Sequence, residues 1–385
     1  MAMISVAEAE KMVREGAAAL QSGDAQTARV AFRRVTDSGR ANAQIWLLLA
    51  HASRMAGDWP EVESACDAVL TQESTNLRAL VFKADARDGQ GDARGASSFY
   101  RKAVQLAGTM QGLPDDLAAE VRRGAGRARA ITGEFQRKLE TRLSEAGFDP
   151  ASRSRRFDQS LGILAGEKQV YLQQPSAYYF PELPQIQFYE TEQFAWAADV
   201  EAAAGTIRAE LEQALAQGSP FRPYLQSRSD RPSYDFHGLL DNPAWSTLYL
   251  WENGAATPGA RERFPKTFAA LEQVPMPHIT TRAPSILFSL LQPGARIEPH
   301  HGMINTRLIC HLPLVVPSRC GFRVGNEVRE WQVGKLMIFD DTIEHEAWND
   351  SEEDRILLIF DIWRPELDEG ERGAVTAMFE AIDSA

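Results

Sequence analysis

Residues 285–316 read SILFSLLQPGARIEPHHGMINTRLICHLPLVV. Two apolar runs, 285–291 and 307–316, flank a polar stretch holding Pro293, Gly294, Pro299 and Gly302. Each run is short for a buried helix and is bounded by turn residues, which predicts strands. The texture continues through GFRV (321–324), EVREW (327–331), KLMIF (335–339) and RILLIFDIW (355–363). Short strands at this spacing predict a sandwich or barrel of antiparallel strands. A short helix near residues 370–382 closes the chain.

Upstream the pattern is different. Between residues 155 and 280 prolines and aromatics gather and helical periodicity fades. The first hundred residues repeat: Gly23-Asp24 recurs as Gly57-Asp58 and as Gly91-Asp92, 34 residues apart each time. Ala28, Val62 and Ala96 share one offset, Phe32, Cys66 and Tyr100 a second, and Val35, Val69 and Ala103 a third. Trp46 and Ala50 map onto Leu80 and Ala84. Small and apolar residues at fixed offsets let two antiparallel helices nest around a glycine turn, and a 34-residue period of this kind is that of the tetratricopeptide repeat. Residues 115–147 continue as helix, with basic residues that read as its solvated face. The expected chain is multidomain α + β: a tetratricopeptide-like helical repeat domain with a linking helix over 1–150, then a β-domain over 151–385.

Composition narrows the function. The chain has 385 residues and a formal net charge of −12, against the basic surface that nucleic-acid binding requires. Three cysteines (Cys66, Cys310 and Cys320) are too few for a disulfide framework and suit a reducing, cytoplasmic setting. No apolar stretch is long enough for a membrane span, and the N-terminal residues MAMISVAEAEKMVREG carry acids where a signal peptide would be apolar.

Four of the seven histidines, His300, His301, His311 and His345, lie between residues 300 and 345. Buried imidazoles need a partner or a metal. His300, at the end of a turn and before a strand, and His345, before another strand, can face one another across a jelly roll. Fe(II) commonly takes two histidines and one carboxylate. The usual carboxylate stands two residues after the first histidine, and here that position is Gly302. On spacing alone the site is either incomplete or completed by Glu298, Asp340 or Asp341. Satisfied core histidines beside a hydrogen-bonded Asp pair are the competing reading.

The strings SLLQPGARIEPHHGMINTRLICHL (289–312), GKLMIFDDTIEHEAWN (334–349) and RILLIFDIWRPEL (355–367) resemble the aspartyl/asparaginyl β-hydroxylase family. These are Fe(II)- and 2-oxoglutarate-dependent dioxygenases on a double-stranded β-helix (jelly-roll, cupin-like), and some members carry tetratricopeptide-like helices ahead of it. The resemblance implies iron held by His300 and His345 alone, with Gly302 leaving room for water. It implies that Arg355 and Ser289 grip the distal carboxylate of 2-oxoglutarate, that His311 lies near its other carboxylate, and that Arg307 holds an acidic substrate. A bidentate arginine fork is the preferred receptor for a planar carboxylate. Asp340 and Asp341 are expected to orient His345. Two departures stand out: Ile309 where members with protein substrates tend to have a second arginine, and Arg364 where some relatives have histidine. Loss of that second guanidinium removes a contact worth on the order of 1.5–3 kcal/mol.

The resemblance therefore implies a dioxygenase using Fe(II), 2-oxoglutarate and dioxygen to hydroxylate an Asp/Asn-like residue of a peptide or protein, or a small amino-acid-like molecule. The repeat domain is expected to engage a protein partner. The competing expectation is a tetratricopeptide interaction scaffold whose cupin-like metal domain is inactive or does not use 2-oxoglutarate.

Overall fold

The structure, a computed structural model, describes residues 4–218, 221–227, 229, 232 and 235–384. It divides into two compact units, Met1–Lys168 and Gln169–Ala385.

The first unit is helical: α1 (Val6–Gln21), α2 (Ala25–Asp37), α3 (Ala43–Met55), α4 (Trp59–Gln72), α5 (Leu77–Gly89), α6 (Ala93–Gly108), α7 (Asp115–Glu145) and α8 (Arg155–Ala165). The recurring Gly-Asp pair explains the three hairpins. Gly23, Gly57 and Gly91 take φ of +81°, +74° and +83°, which only glycine adopts without strain. Each aspartate then caps the following helix, accepting from the backbone N–H of Thr27, Glu61 or Gly95. The three repeating offsets are buried throughout, from Ala28, Phe32 and Val35 to Ala96, Tyr100 and Ala103. Helix α7 packs on α6 through Val121, Gly124, Ala128 and Ile131. Its basic residues are not all solvated: Arg123 pairs with Asp85 at 2.7 Å and Arg127 with Asp88 at 2.6 Å, so α5 neutralises both. Composition drew the domain boundary at 150/151, but the chain divides after Lys168 because α8 stays with the helices, its C-cap Gly166 lying against Arg101. Among the described residues, no helix is long and apolar enough to cross a membrane.

The second unit is built on antiparallel strands: β1 (Phe188–Tyr189), β2 (Arg222–Pro223), β3 (Trp245–Glu252), β4 (Ala255–Ala256), β5 (Ile286–Leu291) and β6 (Arg296–His300). Then come β7 (Arg307–Val315), β8 (Cys320–Val324), β9 (Glu327–Arg329), β10 (Met337–Phe339), β11 (His345–Asn349) and β12 (Arg355–Trp363). One sheet runs β1-β10-β7-β12-β5-β3-β2, with β4 on β3, and the other runs β6-β11-β8-β9. The run RILLIFDIW is apolar on both faces because β12 is covered on both. Ile356, Leu358, Phe360 and Ile362 join a core with Val200, Ile207 and Leu211 of the preceding helices. Leu357 instead joins Phe339, Leu291, Ile297, Phe322 and Val324 between the two sheets.

The apolar runs read from sequence match β5, β7, β8, β9, β10 and β12. Strands β1, β2, β3, β4, β6 and β11 lie outside those runs. His300 ends β6 instead of standing ahead of a strand, and His345 opens β11.

Candidate functional site

Strands β6 and β11 pair so that His300 and His345 are direct partners, with ring centroids 4.0 Å apart and ring planes at 50°. Each ring is turned by its own backbone. His300 Nδ1 lies 2.8 Å from the Glu298 carbonyl and His345 Nδ1 lies 3.1 Å from that of Ile343. A carbonyl only accepts, so each Nδ1 carries the proton and each Nε2 keeps a bare lone pair. Burial lowers the pKa of both rings, and His300 adds to the effect on His345, which falls well below its ordinary value. Both imidazoles are therefore neutral near pH 7, the form that binds a metal. Among the described residues, no group of three or more His, Cys, Asp or Glu side chains is arranged to hold a metal. The donor set that fits one here is this pair of imidazoles.

The proposed third ligands separate. Glu298 supplies its backbone carbonyl to His300. The Asp340 carboxylate is fully engaged: Oδ1 accepts from the Thr342 amide and hydroxyl, and Oδ2 from Gln173 and Arg364, each at 2.6 Å. Asp341 is the open one, with Oδ1 buried and without a partner. Burial pushes its carboxyl up to about 7, against the pull of Arg307. A Cβ built on Gly302 would fall on the Asp341 carboxylate. The space of the missing side chain is thus already taken by Asp341, which reaches it from the other loop. Gly302→Asp is accordingly expected to bind Co(II) no tighter than the parent chain and to melt lower, by about 1–3 kcal/mol of overpacking. A tighter Co(II) titration would contradict this account of the glycine.

Between the sheets stands an isolated cation. Arg355 is 2% exposed, and among the described residues no carboxylate pairs with it, neither its neighbours Glu353 and Asp354 nor any other. Its Nη2 lies 3.4 Å from Ser289 Oγ, its Cζ lies 4.9 Å from the Trp331 ring centroid, and its Nε has no partner. Burial pushes the guanidinium down to about 10, so it stays charged at neutral pH. His311, also buried, packs among Phe322, Phe339 and Trp331 with an unpartnered Nδ1. Burial, then Arg355, drives its pKa far down, so it is neutral. Arg307 is differently placed: Nη1 donates to Asp361 at 2.9 Å and Nη2 lies 3.7 Å from Asp341. Burial opposes its charge, and these two carboxylates more than restore it. Ile309 is the cross-strand partner of Asp361.

Two aromatic residues not singled out from the sequence border His300, and a third packs behind one of them. Phe236 meets its ring edge-on at 5.5 Å, Trp245 lies at 6.5 Å, and Tyr224 stacks on Trp245 at 4.1 Å. The aromatic-rich string WSTLYLWE of β3 carries a strand signal that could flag Trp245.

The family model described as Aspartyl/Asparaginyl beta-hydroxylase matches residues 201–365, which span both histidines, Arg355 and Ser289. Aspartate beta-hydroxylase domain-containing protein 1 of Mus musculus is 30% identical over 292 residues, which cover 71% of this chain and 76% of that protein. The chain belongs to the aspartyl/asparaginyl β-hydroxylase family. Within it, the human aspartyl/asparaginyl beta-hydroxylase is 40% identical over 143 residues, 36% of this chain and 18% of the relative. The ornithine lipid ester-linked acyl 2-hydroxylase of Rhizobium tropici is 36% identical over 180 residues, 46% of this chain and 60% of the relative. The chain thus spans only part of these two hydroxylases. Among solved structures, the Sgt2 TPR domain from Aspergillus fumigatus is 20% identical, at TM-score 0.30, covering 35% of this chain and 86% of that one.

Proposed function

We propose that this chain is an Fe(II)- and 2-oxoglutarate-dependent dioxygenase. It would hydroxylate an Asp/Asn-like residue of a peptide or protein, or a small amino-acid-like molecule. The observation that carries this reading is Arg355, a buried guanidinium without a counter-ion among the described residues, in the same interior as two converging imidazoles. A buried lone charge costs several kcal/mol, and a carboxylate ligand would offset that cost. Facing sheets ordered β10-β7-β12-β5 and β6-β11-β8 support a double-stranded β-helix of the jelly-roll or cupin type.

His300 and His345 would hold Fe(II) through their bare Nε2 atoms. When bound, Fe(II) with 2-oxoglutarate and dioxygen supplies the oxidation that hydroxylates an unactivated carbon. Arg355 and Ser289 would fork the distal carboxylate of 2-oxoglutarate, and neutral His311 would sit beside the other one without adding charge. Asp341, in the space over Gly302, would accept a hydrogen bond at its free Oδ1. Arg307, already braced by Asp361 and Asp341, would present a fixed guanidinium to the substrate. Phe236, Trp245 and Tyr224 would keep water from the His300 side. The helical repeats would engage a peptide or protein partner. Three free, buried cysteines support a reducing, cytoplasmic setting.

The test is anaerobic binding of 2-oxoglutarate to the full chain with and without Fe(II), followed by succinate release on adding candidate peptides and amino-acid derivatives. Metal-dependent binding and substrate-stimulated succinate are expected. Failure to bind 2-oxoglutarate with Fe(II) present would sink the assignment.

A further inference from the structure

Both histidine-bearing loops are tied to one segment lying ahead of the family match at residues 201–365. Residues 173–180 run across the loop that leaves His300 and the turn that enters His345. On the His300 side, Ser176 N–H donates to the Gly302 carbonyl at 3.1 Å and Ala177 N–H to that of Met303 at 2.9 Å. Phe180 N–H donates to Asn305 Oδ1 at 2.7 Å, and Asn305 Nδ2 donates back to the Phe180 carbonyl at 2.8 Å. On the His345 side, Gln174 N–H donates to the Thr342 carbonyl at 2.7 Å.

One side chain belongs to both halves. Gln173 is 7% exposed; its Nε2 donates to Asp340 Oδ2 at 2.6 Å and its Oε1 accepts from Asn305 Nδ2 at 2.9 Å. Asn305 and Asp340 are each fully buried. A carboxamide is the neutral side chain that donates and accepts at once from a single rigid plane. Gln173 joins the two loops alongside Gly302 N–H, which donates to the Asp341 carbonyl at 2.6 Å, and Arg364 Nη1, which reaches the Asn305 carbonyl at 3.4 Å and Asp340 Oδ2 at 2.6 Å.

We propose that Gln173 is a positioning residue of the metal site, acting through Asn305 on the His300 loop and through Asp340 on the His345 turn. This rests on the reading of the two histidines as metal donors. Gln173→Ala removes both bonds, and with them the one from Nε2 to the Pro184 carbonyl at 3.1 Å. Gln173→Glu keeps the acceptor for Asn305 but sets a carboxylate against Asp340. The contrast is Asn326→Ala: Asn326 Oδ1 accepts from Gln169 N–H at 3.1 Å and Nδ2 donates to the Gln169 carbonyl at 2.7 Å, so this change frees the residue four ahead of Gln173 without removing a bond to either loop.

The experiment uses the full chain with Co(II) alone as probe, titrated by visible absorption, alongside hydrogen exchange of the metal-free chain. Gln173→Ala and Gln173→Glu are expected to weaken Co(II) roughly 10- to 100-fold, the range for residues that orient metal ligands. Exchange should rise at both 301–306 and 340–345. Asn326→Ala should bind Co(II) within about twofold of the parent while exchange rises near residue 169 alone, as expected of a change that leaves ligand orientation intact. Parental Co(II) affinity in both Gln173 variants, or equal weakening in Asn326→Ala, would overturn the proposal. If the parent chain takes no Co(II), the metal-site reading fails, and exchange alone decides: a rise confined to one loop refutes the coupling, and a rise in both upholds it.

Discussion

Arg355→Met is expected to stabilise the ligand-free chain while abolishing its hold on 2-oxoglutarate. The two effects have one cause. The guanidinium is buried at 2% exposure with a hydroxyl 3.4 Å away and an indole face as its surroundings, and burial has already pushed it down to about 10. Methionine is a linear side chain that can keep the packing against Trp331 while discarding the desolvated charge. A gain of about 1–2 kcal/mol in the unliganded state corresponds to a rise of roughly 2–8 °C in Tm for a unit of this size. The same change removes a charge-assisted fork at the distal carboxylate. Two such hydrogen bonds contribute on the order of 3–4 kcal/mol, or roughly a 150- to 1,000-fold loss of 2-oxoglutarate affinity. Thermal melts with and without 2-oxoglutarate read both quantities: the parent should gain Tm on binding and the variant should not. A lower ligand-free Tm together with retained ligand stabilisation would mean that Arg355 is a structural residue.

His345→Ala is expected to lose metal and turnover together. With His300 and His345 read as the donor pair, each is half of what the protein offers an ion. Removing one leaves a single neutral nitrogen, and Co(II) or Fe(II) affinity should fall on the order of 10³-fold, about 4 kcal/mol. The alanine also leaves a hole beside Phe322 and Phe339, whose ring centroids stand 6.1 and 5.6 Å from that of His345, so a lower Tm is expected as well. His301→Ala separates the two consequences. His301 is half-buried next to His300 but, unlike His345, makes no ring contact with it, so its removal should leave metal affinity and succinate release near parental. Loss of metal in His301→Ala with retention in His345→Ala would reverse the ligand assignment.

Much of the architecture was readable from local pattern because local physics decides it. A glycine at positive φ followed by a capping aspartate can be recognised three times at a 34-residue period, since both groups act within four residues of themselves. RILLIFDIW reads as a strand buried on both faces because no polar alternation interrupts it before Asp361. Residue type singled out His300 and His345, and the family resemblance added Arg355 and Ser289; the fold brings His300 against His345 and Arg355 against Ser289. Strand β3 is hard to read because its buried and half-buried positions do not alternate, and β6 because Pro299 stands inside it.

What residue type and spacing left open were questions of partnership, and those depend on which backbone passes where. The absent carboxylate at Gly302 could have marked an incomplete site; the close approach of Asp341 fills that space from a loop 39 residues on in number. Arg355 could have been half of a surface ion pair; it is instead buried, and among the described residues no carboxylate pairs with it. The resemblance implies that Arg307 holds an acidic substrate; which acids of the chain itself face it, Asp361 and Asp341, only the fold shows. Gln173 carries no local signal at all, because its meaning lies in two bonds to residues 132 and 167 positions away. Elements and chemical types follow from short-range sterics and hydrogen bonding, which the chain expresses within a few residues. Charge compensation, close approach and the spacing of ligands are long-range properties, and they exist only once the two sheets have closed on each other.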